Sequence, residues 1–268
     1  MNDLISVIVL TYNSGKTVIE TLESIKNQVY QNIEIVIADD SSSDNTLEVV
    51  REWQDKNQIC KMQIVTTNKN TGVPANCNRG VNACSSSLIK IIAGDDLLEP
   101  DAIDIYYKNY LEKGDMMIGM GKVKLFGNPT SLQTEYCCES YKLVQLSHKE
   151  QLHKMLVSNY IVSPSVGILN KDMILKEGGF NESFPAFEDY PFYLKLLDRG
   201  FSFYLIDKVL VDYRIVNTSM SNGMSKRYMT SMSDYFFLEK SRLLIKHRRF
   251  MVLVKQIVRY FIMKSKCN

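Results

Sequence analysis

Four short clusters of acidic and polar residues stand out as groups that could do chemistry. Gly94-Asp95-Asp96 directly follows LIKIIA at residues 88–93. Two carboxylates delivered at a strand end are hard oxygen donors, able to hold Mg²⁺ or Mn²⁺ beside waters and substrate phosphates. The same residues also suit a turn in which an aspartate caps the next helix. Asp39-Asp40-Ser41-Ser42-Ser43-Asp44 ends a second strand pattern. An Asp in that place can accept hydrogen bonds from a base or ribose, although such residues equally favour turns and caps. Arg79 opens a polar helix start after the turn Asn70-Thr71-Gly72 and carries a charge that fits a phosphate or a structural surface contact. Glu188-Asp189 lies among Phe187, Tyr190, Phe192 and Tyr193. Aromatic surroundings raise a carboxylate's proton affinity toward that of a general base; the plainer reading is an acidic first helical turn.

The elements that must carry these clusters are legible around them. Residues 5–10 (ISVIVL), 33–38 (IEIVIA), 62–66 and 88–93 have strand composition, and residues 14–28, 47–53 and 74–83 between them have helical spacing. Ser14 is the expected N-cap of the first helix. The alternation predicts parallel βαβ units, in which ligands bind beyond the carboxyl ends of the strands. Thr11-Tyr12-Asn13, Asp39 to Ser42 and Asp95-Asp96 then share one rim. Residues 114–154 are weakly patterned. Residues 187–200 read as a helix stopped by Gly200, and 201–207 as a strand.

Composition narrows the class. The chain has 268 residues, 45% hydrophobic and 23% charged, with net charge +2, so its overall charge gives no reason to expect a nucleic-acid partner. Six cysteines form no CxxC pair and two are adjacent, which fits free thiols in a reducing compartment. The first apolar run is too short for a spanning helix, and the expected location is cytoplasmic. His148, His153 and His247 lack zinc-site spacing. From Lys240 the chain turns basic, apolar and helix-prone, with no acid after Glu239. That tail suits an anionic membrane surface, or a packed helix or homo-oligomer contact with a solvated basic face.

In order, SVIVLTYNSGKTVIETLESIKNQVYQNIEIVIADDSSSDNT, NTGVPANCNRG, IKIIAGDDLLEPDAI and GGFNE followed by FEDYPFYLKLLDRG resemble the family-2 glycosyltransferases with a GT-A fold. The resemblance runs from about Asp3 to Ser221. It implies an α/β GT-A domain with a Rossmann-like mixed sheet over residues 1–222, followed by a helical basic extension over 223–268. It further implies an inverting transfer from a nucleotide diphosphate sugar, most simply UDP-linked, to a hydroxyl of a glycan or lipid-linked acceptor in bacterial surface-polysaccharide synthesis. By the same resemblance Thr11, Tyr12, Asn13, Asp39, Asp40 and Arg79 belong to the donor pocket. Asp95 and Asp96 close the metal motif, with Asp96 the ligand of Mn²⁺ or Mg²⁺. Asp189 is the base with Glu188 beside it, and Arg214 and Ser219 belong to a loop over the diphosphate. The chain departs from the family pattern at Ala93, where an Asp is common, and in lacking a His after Arg214. The QxxRW motif of processive synthases is absent, which favours transfer of one sugar. A nucleotidyltransferase, or a binding subunit without turnover, are the alternative expectations.

Overall fold

The computed structural model describes residues 3–58, 61–127, 138–215 and 226–267. A seven-residue run buried at all but one position is a strand covered on both faces, and β1 (Ile5–Thr11) is such a strand. α1 (Val18–Lys26) turns Val18, Thr21, Leu22 and Ile25 inward. It starts later than the Ser14 cap would have it. The Ser14 N–H donates to Thr46 Oγ1 at 2.8 Å, and Thr17 stands at the cap position with its hydroxyl on the Gly94 carbonyl at 2.8 Å. Loop-to-loop bonds thus outcompete the local cap.

The alternation continues with β2 (Ile33–Asp39), α2 (Thr46–Asn57), β3 (Met62–Val65), α3 (Val73–Ala83) and β4 (Leu88–Ala93). Pro74 lies in the first turn of α3, where its missing N–H costs nothing. After β5 (Leu97–Leu98) and α4 (Ala102–Lys113), β6 (Met117–Phe126) leads to α5 (Cys138–Val144) and α6 (His148–Met155). β7 (Leu169–Asn170), α7 (Lys171–Lys176), α8 (Asp189–Asp198) and β8 (Ser202–Arg214) follow. The weakly patterned middle therefore holds a ten-residue strand, β6, and two helices. The strand expected at 201–207 runs on to Arg214, because its second half pairs with β5 as well as with β6.

The main sheet has the order β3-β2-β1-β4-β7, parallel except for β7. β1 sits at its centre between β2 and β4, so the three polar clusters emerge side by side at the carboxyl edge. α3 packs unusually close to this sheet: a Cβ on Gly80 would stand 2.5 Å from Ile8 Cγ2. A second sheet, β5-β8-β6, begins just after Asp96.

The C-terminal segment comprises α9 (Lys226–Tyr235), a π-helical turn (Phe236–Lys240), α10 (Ser241–Lys246) and α11 (Phe250–Cys267). Tyr235, Phe236 and Leu244 are buried in the same apolar cluster as Phe180, Phe184, Phe187 and Tyr190. The Tyr235 ring meets Phe184, Phe187 and Tyr190 edge-on at 5.2, 5.9 and 5.5 Å. Contacts of this geometry add about 0.5–1.5 kcal/mol each beyond their burial. Among the described residues no helix is long and apolar enough to cross a membrane.

Candidate active site

The rim of the main sheet is built by hydroxyl groups and amides converging on aspartates. Asp39 ends β2 fully buried. Its Oδ2 accepts from Thr11 Oγ1 at 2.9 Å and Ser42 Oγ at 2.5 Å, and its Oδ1 from the Ser42 N–H at 2.9 Å and Thr66 Oγ1 at 3.3 Å. The Thr66 contact is the longest, and Oδ1 is accordingly the oxygen best placed to exchange a partner. Asn13, in the left-handed region at φ 54°, accepts at Oδ1 from the Ser43 and Asp44 N–H groups at 2.8 and 3.3 Å. It thereby joins the loops after β1 and β2. Tyr12, between them, is 51% exposed at the strand end.

Asp40 faces a different task. Its carboxylate accepts from the Thr71 N–H at 3.0 Å, the Thr71 hydroxyl at 2.6 Å and the Gly72 N–H at 2.8 Å, with Arg79 at 3.5 Å. Arg79 also donates to Asn76 Oδ1 at 2.5 Å, Thr71 Oγ1 at 2.9 Å and the Asp39 carbonyl at 3.2 Å. Both side chains are thus invested in holding the turn before α3. That turn in turn holds a distant segment: the Val73 N–H donates to the Pro185 carbonyl at 3.2 Å. Gly72, at φ +97°, has no room for a Cβ, which would lie 2.4 Å from that same oxygen.

Asp95 and Asp96 occupy the turn between β4 and β5. Asp96 is 1% exposed, and its Oδ1 accepts the Arg214 N–H at 2.9 Å from the end of β8. The Arg214 guanidinium lies 4.3 Å from the Phe126 ring centroid, donating from Nε to the Asp95 carbonyl at 2.8 Å and from Nη2 to Glu20 at 2.7 Å. Burial, reinforced by the charge of Asp95, pushes Asp96 up to about 8. Burial raises Asp95 as well, with the charge of Arg214 opposing. This is a donor set short of positive charge. A divalent cation fits it: Mg²⁺ commonly takes one or two carboxylates and fills its remaining positions with phosphate and water. Among the described residues no group of three or more His, Cys, Asp or Glu side chains is gathered, so those other ligands would come from substrate and solvent.

Glu188 and Asp189 stand at the start of α8. Both keep some solvent access while ringed by protein atoms. Asp189 accepts from the Tyr190 N–H at 2.6 Å and Asn159 Nδ2 at 3.0 Å; Glu188 accepts from Ser163 Oγ at the longer distance of 3.3 Å. Burial raises the proton affinity of both, and the neighbouring charge of Asp189 raises Glu188 further. The hydrogen bonds to Asp189 oppose its shift, whereas the charge of Asp189 adds to that of Glu188, so the pair favours ionisation at Asp189.

Asn159, Ser163 and Lys90 went unnoticed in the sequence. Asn159 lies in a loop and Ser163 opens a single 3₁₀ turn, neither within a chemical motif, but Lys90 carries a signal, a lone cation inside the strand LIKIIA. It is fully buried, and burial lowers it to about 7, with Asp96 pulling the other way. Its Nζ donates to the carbonyls of Pro164 and Val166 at 2.8 and 2.6 Å, while Tyr106 OH donates to the Ser165 carbonyl at 2.8 Å. The turn that presents Ser163 to Glu188 is thus bolted to the strand that delivers Asp95 and Asp96. Ser219 lies outside the described residues.

The chain is similar in sequence and in fold to known proteins. The family model described as glycosyl transferase family 2 matches residues 6–173. An uncharacterized glycosyltransferase of Methanocaldococcus jannaschii is 25% identical over 238 residues, covering 88% of this chain and 78% of that protein. The Escherichia coli UDP-Glc:alpha-D-GlcNAc-diphosphoundecaprenol beta-1,3-glucosyltransferase WfaP is 25% identical over 238 residues, covering 84% of this chain and 82% of that protein. The crystal structure of S. aureus TarS 1-349 in complex with UDP-GlcNAc superposes with a TM-score of 0.70 at 18% identity, covering 96% of this chain and 72% of that one.

Proposed function

Because the chain belongs to glycosyl transferase family 2 and has the GT-A fold, we propose that this glycosyltransferase moves one sugar from a UDP-sugar to a hydroxyl group of a lipid-linked or glycan acceptor, with inversion. The observation that carries this reading is the pairing of a charge-deficient Asp95–Asp96 rim with a separate basic carboxylate at Asp189. The donor class is supported by the UDP-GlcNAc in the TarS complex, and the acceptor class by the diphosphoundecaprenol substrate named for WfaP.

In this reading Asp39 accepts an N–H of the base through Oδ1, with the Thr66 hydroxyl yielding its place. Tyr12 offers its exposed ring to the base, and Asn13 fixes the loop beneath the ribose. Asp40 and Arg79 belong to the pocket by shaping the turn at Thr71-Gly72. Asp96, with Asp95, would hold Mg²⁺ or Mn²⁺, which would supply positive charge to offset that of the departing diphosphate. Arg214 keeps Asp96 oriented through its backbone N–H, and Ser219 belongs to the loop over the diphosphate. Asp189 takes the proton of the acceptor hydroxyl, which attacks the anomeric carbon opposite the leaving group. Glu188, whose proton affinity burial and the charge of Asp189 both raise, is the member of the pair that yields the ionised form to Asp189.

The test is release of nucleoside diphosphate from UDP-, GDP- and dTDP-sugars with Mn²⁺ or Mg²⁺, in the presence of a lipid-linked acceptor extract. Metal-dependent release from one donor, lost in Asp96→Asn and Asp189→Asn, is expected. Donor binding without release, unchanged by Asp189→Asn, would replace the reading with a binding subunit.

A further inference from the structure

α11 is apolar both on the side that packs inward and on an adjoining side that faces solvent. Val252, Leu253, Ile257 and Tyr260 are partly buried against the main apolar cluster. Phe250, Val254, Val258 and Phe261 recur at intervals of three and four, and with Met251 they form the other face. All five are exposed, Met251 to 77%. An inward apolar face explains why the helix packs, but nothing in that packing explains five large apolar side chains in water. Scattered exposed apolar residues are ordinary; a continuous helical stripe of them marks a contact surface.

Charge decides what covers it. No acidic residue follows Glu239, whereas Lys240, Arg242, Lys246, Arg248, Arg249, Lys255, Arg259, Lys264 and Lys266 all do. Arg242, Arg248 and Lys255 are exposed. A second copy docking through the same face would set these cations against each other. An anionic surface with an apolar interior meets both requirements, and α11 is too charged to pass through it.

We propose that α11 is an interfacial helix whose outer face, Phe250, Met251, Val254, Val258 and Phe261, seats in the surface of an anionic lipid bilayer. Its placement ties that surface to the acceptor side of the site. The Val157 carbonyl accepts from Lys240 Nζ and from Gln256 Nε2, each at 3.2 Å. Val157 itself is exposed, and two residues later Asn159 donates to Asp189. A lipid-linked acceptor would then reach the base from the membrane side. That last step rests on the transferase reading; the membrane contact does not.

The experiment compares the full chain with the triple variant Met251→Ser, Val254→Ser, Val258→Ser, whose fold is checked by circular dichroism. Both are sedimented with vesicles of phosphatidylglycerol and phosphatidylcholine, and with phosphatidylcholine alone. The wild type is expected to bind the anionic vesicles, to bind more weakly as salt rises, and to lose at least about tenfold in affinity in the variant, as removal of buried apolar contact requires. Absence of binding, or equal binding by the variant, overturns the proposal. So does a lipid-free dimer in analytical ultracentrifugation that the variant no longer forms, which would assign the face to a second copy. Because sedimentation requires no turnover, failure here is distinguishable from failure of the transferase reading.

Discussion

Two of the chain's pairs of adjacent carboxylates, Asp95–Asp96 and Glu188–Asp189, have opposite characters. Asp95–Asp96 lies at the end of a parallel strand, where the nearest donors are a backbone N–H and an arginine already paired with Glu20. Glu188–Asp189 lies at the start of a helix, where an amide side chain, a hydroxyl and a backbone N–H all reach it. The first pair is left short of compensating charge, so that it takes up a proton readily and would favour a bound cation. The second can divide its charge unevenly, one member ionised and the other protonated. In the proposed mechanism, what would suit one pair to a metal and the other to proton transfer is therefore the number and kind of donors the fold sends to each, since the carboxylates themselves are alike.

The sharpest way to test the contrast is to neutralise each pair in turn. Asp189→Asn is expected to lower turnover by about 10²- to 10⁴-fold, the range for a lost general base, while UDP-sugar affinity stays near wild type. Asp96→Asn is expected to weaken metal-dependent donor binding as well as turnover. Calorimetric titration beside steady-state kinetics separates the two, and equal loss of donor affinity in both variants would erase the distinction.

Stability against pH probes the charge deficit itself. A carboxyl group raised to about 8 in the folded chain favours folding below its unfolded value near 4, and that contribution is lost as pH rises from about 4 to about 8. The metal-free Tm should therefore fall over that window. Asp96→Asn should flatten the fall, and Mn²⁺ with UDP should raise Tm more at pH 8 than at pH 6. A Tm unaffected by the substitution across the window would remove the deficit.

Lys90→Met tests the bolt between the two pairs. It strips the Pro164 and Val166 carbonyls of a donor at a cost of about 1–3 kcal/mol, measurable by urea unfolding. Its further effect should fall on the Ser163–Glu188 contact, and so on turnover more than on donor affinity. The smallest change is expected from Asn159→Ala. Loss of this donor raises the proton affinity of Asp189, so the acidic limb of the pH–rate profile should move up by about one unit, with the plateau at high pH retained.

The donor side was legible because it is local. Strands 5–10, 33–38 and 88–93 announce themselves by composition, and each polar cluster follows its strand directly in sequence, so βαβ logic alone put three clusters on one edge. The acceptor side is assembled from distance. Asn159 reaches Asp189 from 30 residues away, and the turn holding Ser163 is fastened by Lys90 from 74 residues away. No periodicity encodes such bonds. The parallel pairing of β6 with β8 was hidden for the same reason, the two strands being separated by helices and by glycine-broken alternation at Gly119 and Gly121. The Ser14 cap failed for a related cause, since a local rule lost to hydroxyl contacts with the Thr46 and Gly94 loops.

The adjacency of Asp39 and Asp40 has a bearing on how this chain can change over generations. One is enclosed by Thr11, Ser42 and Thr66, and the next by Thr71, Gly72 and Arg79. Inserting one residue within β2 would push Asp39 into the place of Asp40, and deleting one would pull Asp40 into the place of Asp39, in either case parting the other carboxylate from its partners. Length variation in this half of the domain is thereby confined to the connections on either side, and β2 is open to drift in composition but closed to drift in length.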